Sequence, residues 1–432
     1  MRPRTRSTTF LLAAVALALG HATEASALQP LEDFTRAART GNLDTRDARL
    51  TAEQRGHEVD GALGRVLPSL SVSAGYTRNQ LEVSVSRPGG GGGVESAIIS
   101  PLDQVDASVT LRVPLIDVGA WRRLGAARET EAAAKLRVAA TDHDTDAEIA
   151  RLYYTIVGAT WLRDATQKSL EAAEKNLAVI VHRREAERAL ETDVLRARAE
   201  VERARSQLAD AERLLRSGGR ALWLATGLEA TPGAPALTPG PTQLAAKPGE
   251  LATKILATPV VRAAEHDVTA AEKSRSAAWA ALFPTLGASA TERLTNATGF
   301  AGRNALYNVQ LTATFNLDYA TVAQARAAET GAALARSRAE RARRVQQDLA
   351  EDAASRVETE AVRLAAATVE ERAAAAVVMA LRERLAAGTA MLHEVVQAER
   401  DALSATATRI QAAADLEFAR ALLVARTKGV EP

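Results

Sequence analysis

The sequence predicts a mainly α-helical chain with a small transmembrane β part, organised as two structural repeats. Three observations predict it. Proline, which costs about 3 kcal/mol or more inside a helix, is absent between Pro114 and Pro232 and again between Pro284 and Pro432. Two segments alternate strictly between apolar and polar residues. A series of landmarks recurs in the same order in both halves.

Residues 1–27 read as a secretory signal peptide. Arg2, Arg4 and Arg6 form a basic start, Phe10 to Leu19 an apolar run, and Ala25-Ser26-Ala27 a small-residue cleavage site. The apolar run is too short to span a bilayer. Cysteine is absent, which excludes disulfides, thiolate metal sites and lipid attachment at a cysteine. No later segment is apolar enough for a spanning helix, so any membrane crossing must use β-strands. The net charge of +1 offers no basic surface for nucleic acid. Aromatics make up only 3 % of the chain, and Ala, Arg, Glu and Leu dominate, as in long helices.

Residues 28–230 form the first repeat: a helix at about 47–65, a β-hairpin at about 69–116, a long helix at about 117–187 and a returning helix at about 193–216. A Pro/Gly-rich linker follows at 231–250. The second repeat, 251–432, has a helix at about 253–282, a hairpin at about 285–317, a long helix at about 318–387 and a returning helix at about 391–427. Pro68 matches Pro284, Asp117 matches Asp318, and Asp193 matches Glu394. The first half has extra residues around the glycine run 89–93, which reads as a flexible loop. It lacks the Lys-Ser/Thr of a phosphate-binding loop.

The strands carry the clearest pattern. Val105, Ala107, Val109, Leu111, Val113 and Leu115 alternate with polar residues. Tyr307, Val309, Leu311, Ala313, Phe315 and Leu317 do the same. Leu70 to Tyr76 and Leu286 to Ala290 supply weaker partners. About 9–11 residues is the length of a tilted transmembrane strand. Trp121, Trp279, Phe283 and Tyr319 stand at the strand–helix junctions, where an interfacial aromatic girdle would lie. Four strands are too few to close a barrel, and lipid does not tolerate open edges. The chain must therefore associate with copies of itself. About seventy helical residues span roughly 105 Å, more than a globular core needs. Val194, Val201, Leu208 and Leu215 form a heptad seam on the first returning helix.

In this order and spacing the chain resembles the TolC family of outer-membrane efflux and secretion ducts. The likeness rests on Leu67-Pro68-Ser69-Leu70, Pro114-Leu115-Ile116-Asp117, Ala387-Gly388-Thr389 and Glu394-Val395-Val396-Gln397-Ala398. It implies a homotrimer in the outer membrane, extending into the periplasm. Such a trimer shares a 12-stranded β-barrel set in outer-membrane lipid and a long α-helical barrel, with the linker in the equatorial region. It implies a passive channel of a tripartite efflux or type I secretion system, working with a periplasmic adaptor (membrane fusion protein) and an inner-membrane transporter. The resemblance also assigns Asp193, Glu394 and Gln397 as periplasmic gate candidates, and Glu187, Leu190, Gly388 and Thr389 as adaptor-contact tip candidates. Read without the resemblance, Asp193 and Glu394 are acids near helix starts, where the helix dipole favours them. Glu187 stands where the second repeat has Gly388, so the first tip lacks the usual glycine.

No enzymatic motif is present: the sequence has no nucleophile elbow, zinc-protease motif or Walker sequence. No catalytic residue, cofactor or metal site is expected. His143 lies in Asp142-His143-Asp144-Thr145-Asp146, but on a helix Asp142 and Asp146 share a face that His143 does not. The run reads as a solvated acidic patch. The rival reading is a secreted coiled-coil structural or adhesive protein without a pore, which would not need the matched alternating hairpins.

Overall fold

The computed structural model describes residues 28–88, 94–231 and 253–429. The signal peptide, the glycine run and nearly all of the Pro/Gly linker lie outside the described residues. In order, the elements are α1 (Leu31–Gly41), α2 (Leu43–Gly64), β1 (Ser69–Arg78), β2 (Val83–Pro88), β3 (Val94–Ser100), β4 (Asp103–Ile116), α3 (Val118–Glu185) and α4 (Glu191–Thr226). The second half adds α5 (Pro259–Ala280), β5 (Thr285–Thr295), β6 (Ala305–Thr314), α6 (Tyr319–Ala386) and α7 (Leu392–Thr427).

The repeat is exact in helix length. α2 and α5 each have 22 residues, α3 and α6 each have 68, and α4 and α7 each have 36. The same capping chemistry starts both long helices. The Asp117 carboxylate accepts the Ala120 N–H at 2.7 Å, and Asp318 accepts the Thr321 N–H at 2.7 Å. An Asp at the N-cap occupies one of the N–H groups that a helix start leaves without an intrahelical partner.

The chain forms two compact units. One comprises Asp47–Ala139 and Pro259–Val345. Its centre is a four-stranded antiparallel sheet in the order β1-β4-β5-β6. Each repeat contributes one hairpin, and β4 and β5 join the repeats. The register keeps like with like. Leu70, Leu111, Ala290 and Val309 form one cross-strand row, and Ser71, Thr110, Thr291 and Asn308 form the next. On the polar face Ser73 bonds Ser108 at 2.8 Å and Thr110 bonds Thr291 at 3.0 Å. The large side chains of the apolar face, including Leu70, Val72, Leu111, Tyr307, Val309 and Leu311, are exposed. Glu292 interrupts that face between Val109 and Tyr307. β1 and β6 have no partner on their outer edges among the described residues.

The other unit comprises Ala140–Thr258 and Gln346–Glu431 together with the residues up to Arg46. Its core is layered along the helices. Phe34 and Ala38 of α1 are buried against Ile149, Tyr153, Ile156 and Val157 of α3 and Leu222 of α4. The rings of Phe34 and Tyr153 lie 6.0 Å apart. The heptad seam of α4 packs as a coiled coil on α3: Val201 meets Leu170 and Ala173, with Leu208 beside them. Val194 meets Ile180, with Leu392 of the second repeat packed alongside.

Several elements differ from the sequence reading. α4 ends at Thr226 rather than near 216, because Gly218 and Gly219 do not stop it. A Cβ on Gly218 would come within 3.1 Å of Ile156 Cγ1, so this glycine allows close helix approach. The real stop is Gly227, left-handed at φ 72°. β6 ends at Thr314, three residues short of the alternating pattern, because β5 begins at Thr285 and pairs there with Thr314. The insert in the first repeat is not wholly a loop: β2 and β3 pair as a second hairpin. α1 was not expected at all, and α2 begins at Leu43, before Asp47. The acidic run around His143 is not a solvated patch. Asp146 holds Arg39 of α1, and Asp144 holds Arg426 of α7 at 2.7 Å. His143 is half-buried, and desolvation holds its pKa below the usual imidazole value.

Candidate functional site: the helical tips and the sheet

The tips are the turns that join α3 to α4 and α6 to α7. Both have one construction, 201 residues apart, and the backbone hydrogen bonds that close the turn repeat in both. In the first tip the Glu187 N–H donates to the Arg184 carbonyl at 2.9 Å, and the Arg188 N–H to the Arg183 carbonyl at 2.8 Å. In the second, Gly388 N–H donates to Leu385 at 3.1 Å and Thr389 N–H to Arg384 at 2.8 Å. This is the paired bond pattern of a Schellman stop, which needs a left-handed residue at its centre. Gly388 has φ 77°, and Glu187 has φ 56°, the one non-glycine residue with positive φ among those described. The first tip thus makes the same turn without glycine. A side chain in that region costs roughly 1–2 kcal/mol.

Past each turn the chain re-enters a helix through a reciprocal cap. The Leu190 N–H donates to Asp193 Oδ2 at 3.2 Å, and the Asp193 N–H returns to the Leu190 carbonyl at 3.0 Å. The Met391 N–H donates to Glu394 Oε2 at 2.8 Å, and the Glu394 N–H returns to the Met391 carbonyl at 3.2 Å. These two acids therefore stand at the third helical position, as in a capping box. Gln397, one turn on, donates to Asp401 Oδ1 at 3.0 Å.

Beside the tips lies a polar clamp that the sequence reading did not select. Glu399 of α7 accepts Nε of Arg382 on α6 at 3.0 Å and Nδ2 of Asn176 on α3 at 2.9 Å. Arg400, also on α7, donates through Nε to Glu200 of α4 at 3.0 Å. The Glu200 bond raises the pKa of Arg400, and burial opposes it. The clamp ties the two repeats together. The bonds that cross between repeats, Asn176 to Glu399 and Arg400 to Glu200, join residues 223 and 200 positions apart, so no local pattern marks them.

In the sheet-bearing unit the four junction aromatics are exposed. Trp121 lies in the first turn of α3 and Trp279 in the last turn of α5; Phe283 follows α5, and Tyr319 opens α6. Nearby, Glu129 of α3 receives Lys273 Nζ at 2.6 Å and meets His266 Nδ1 at 2.7 Å. Lys273 first, then His266, holds the Glu129 carboxyl below its ordinary range. Among the described residues no group of His, Cys, Asp and Glu is placed to hold a metal ion. No described helix is long and apolar enough to cross a membrane.

Comparison with known proteins gives these features a context. The family model described as outer membrane efflux protein matches residues 35–228 and 255–426, one match per repeat. A search of curated proteins finds no match. Among solved structures the chain is similar to CusC, at TM-score 0.80 and 17 % identity, over 93 % of this chain and 92 % of that one. It is similar to the CmeC outer membrane channel of Campylobacter jejuni, at TM-score 0.78 and 14 % identity, over 93 % and 86 %. The open state of the MtrE outer membrane channel of Neisseria gonorrhoeae gives TM-score 0.76 and 18 % identity, over 93 % and 90 %. These likenesses show the fold, and the family match covers both repeats. The chain belongs to the outer membrane efflux protein family, channels that span the outer membrane and extend into the periplasm.

Proposed function

We propose that three copies of the chain close one barrel and one helical tunnel, forming the passive outer-membrane duct of a tripartite efflux or type I secretion system. The observation that carries this reading is the sheet. It has four strands, an exposed apolar face and two edges unpaired among the described residues. Unpaired backbone groups cost several kcal/mol each in lipid, and a barrel removes them only by closing. Pairing β6 of one copy with β1 of the next satisfies both edges at once. Exposed Val362, Val369 and Met379 on α6 support the same reading, since no described residue of the single chain covers them.

In this assembly Trp121, Trp279, Phe283 and Tyr319 form the interfacial girdle, and the apolar sheet face meets outer-membrane lipid. Asp193, Glu394 and Gln397 ring the periplasmic entrance, where three-fold symmetry multiplies each charge. Glu187, Leu190, Gly388 and Thr389 present the tips to a periplasmic adaptor, which couples the duct to an inner-membrane transporter. The duct itself makes and breaks no bond.

The test is reconstitution in planar bilayers with mass measurement of the detergent-extracted complex. A trimer with discrete ion conductance is expected. A monomeric soluble rod that never conducts would refute the duct.

A further inference from the structure

One charge on the polar face of the sheet has no counter-charge among the described residues. On that face Asp106 and Arg293 neutralise each other at 2.7 Å. The other strand positions there are nearly all hydroxyl, amide or glycine. Arg112 is the exception. It is exposed, and no side-chain hydrogen bond or ion pair joins its guanidinium to any described residue. Its cross-strand neighbours are Ser69 and Ser289. Arg112 and Arg65 line one cavity of about 610 Å³ together with Ser69, Ser289, Gln310 and Thr312. Arg65 likewise has no ion-pair partner among the described residues. One acid, Asp117, also borders the cavity, but it is engaged. Its Oδ1 accepts the Ala120 N–H at 2.7 Å, and its Oδ2 lies 3.8 Å from Arg123. The cavity is therefore net positive, and its neutral wall mixes these hydrogen-bonding groups with apolar residues such as Leu67, Val113, Ile116 and Leu286.

We propose that Arg112, backed by Arg65, is a selectivity residue in the lumen of the β part, attracting solutes that carry carboxylate, sulfonate or phosphate groups. The proposal rests on the duct reading, in which three copies turn one guanidinium into a ring. A guanidinium presents a planar fork of N–H donors that matches such oxyanions two bonds at a time. The surrounding hydroxyls and amides add donors without competing charge. Charges beyond about 8 Å are screened at physiological salt, so the belt acts on whatever shares its section of the lumen. Asp193 and Glu394 belong to the other unit.

The experiment is the reversal potential in planar bilayers under a KCl gradient. It is measured for the full-length D193N/E394Q protein and for the same protein carrying R112Q or R112E. Chloride preference is expected in the parent. The potassium-to-chloride permeability ratio should rise by about twofold or more with R112Q and further with R112E. Added benzenesulfonate should block the parent more strongly than R112Q. Conducting channels whose reversal potential and sulfonate block ignore residue 112 would overturn this inference and leave the duct standing. Absence of conductance in every variant would overturn the duct reading and this inference with it.

Discussion

Replacing Asp193 and Glu394 separates two roles that one carboxylate can play at each tip. Each acid accepts a backbone N–H, Leu190 at 3.2 Å and Met391 at 2.8 Å. Each would also contribute one negative charge per chain to an entrance ring. The two roles respond differently to chemistry. Asn and Gln keep the accepting oxygen and remove the charge; Ala removes both. A helix cap of this kind is worth about 1 kcal/mol, so D193A or E394A should raise the local opening equilibrium about fivefold. Hydrogen exchange of the Leu190 and Met391 amides reads this directly, because those N–H groups lose their acceptor. D193N and E394Q should leave the exchange within about twofold of the parent, since an amide oxygen still accepts. In bilayers the same amide variants should lower cation preference and raise leakiness, as the alanine variants do. Unaltered conductance and selectivity in D193N/E394Q would refute the entrance ring and leave the acids as caps alone. Unaltered exchange in the alanine variants would refute the cap energetics.

Two further outcomes follow from the geometry. The left-handed centre of each Schellman stop predicts opposite effects at matched positions: G388A should destabilise the second tip by about 1 kcal/mol, while E187G relieves the strained φ of 56° and slows local opening of the first tip, both read by exchange at Thr389 and Arg188. The Glu129 carboxyl is held below the ordinary glutamate range by Lys273 and His266, so its contribution is complete above that range and is lost as pH falls through the lowered value. E129Q should therefore flatten the dependence of thermal stability on pH below about 4.5, and an unchanged slope in melting experiments from pH 3 to 5 would count against the pairing.

The sequence by itself determined the features that depend on neighbours a few residues away. Alternation assigned β4 and β6, because every second side chain in a strand shares a face. The absence of proline permitted α3 and α6. The offset of 201 residues paired Asp117 with Asp318 and Asp193 with Glu394, and both pairs prove to cap helices in the same way. The weaker signals failed where local and distant forces disagree. The sequence places the end of the first returning helix near 216, just before the glycines at 218 and 219, yet α4 packs closely on Ile156 and runs to Thr226. The valine–serine alternation beside the glycine run was too short to read, and β2 and β3 hold through each other. The first tip lacked its glycine, and only the backbone reveals that Glu187 adopts the same turn.

Tertiary structure alone decided the rest. The register that joins β4 to β5 unites residues such as Thr110 and Thr291, far apart in the chain. The clamp of Arg382, Asn176 and Glu399, with Arg400 and Glu200 beside it, links four helices. The solitary charge of Arg112 becomes evident only when every neighbour on its face is known. Periodicity reports which way a side chain points relative to its own element. It carries no information about which distant side chain waits there, because that is settled by how two faces pack.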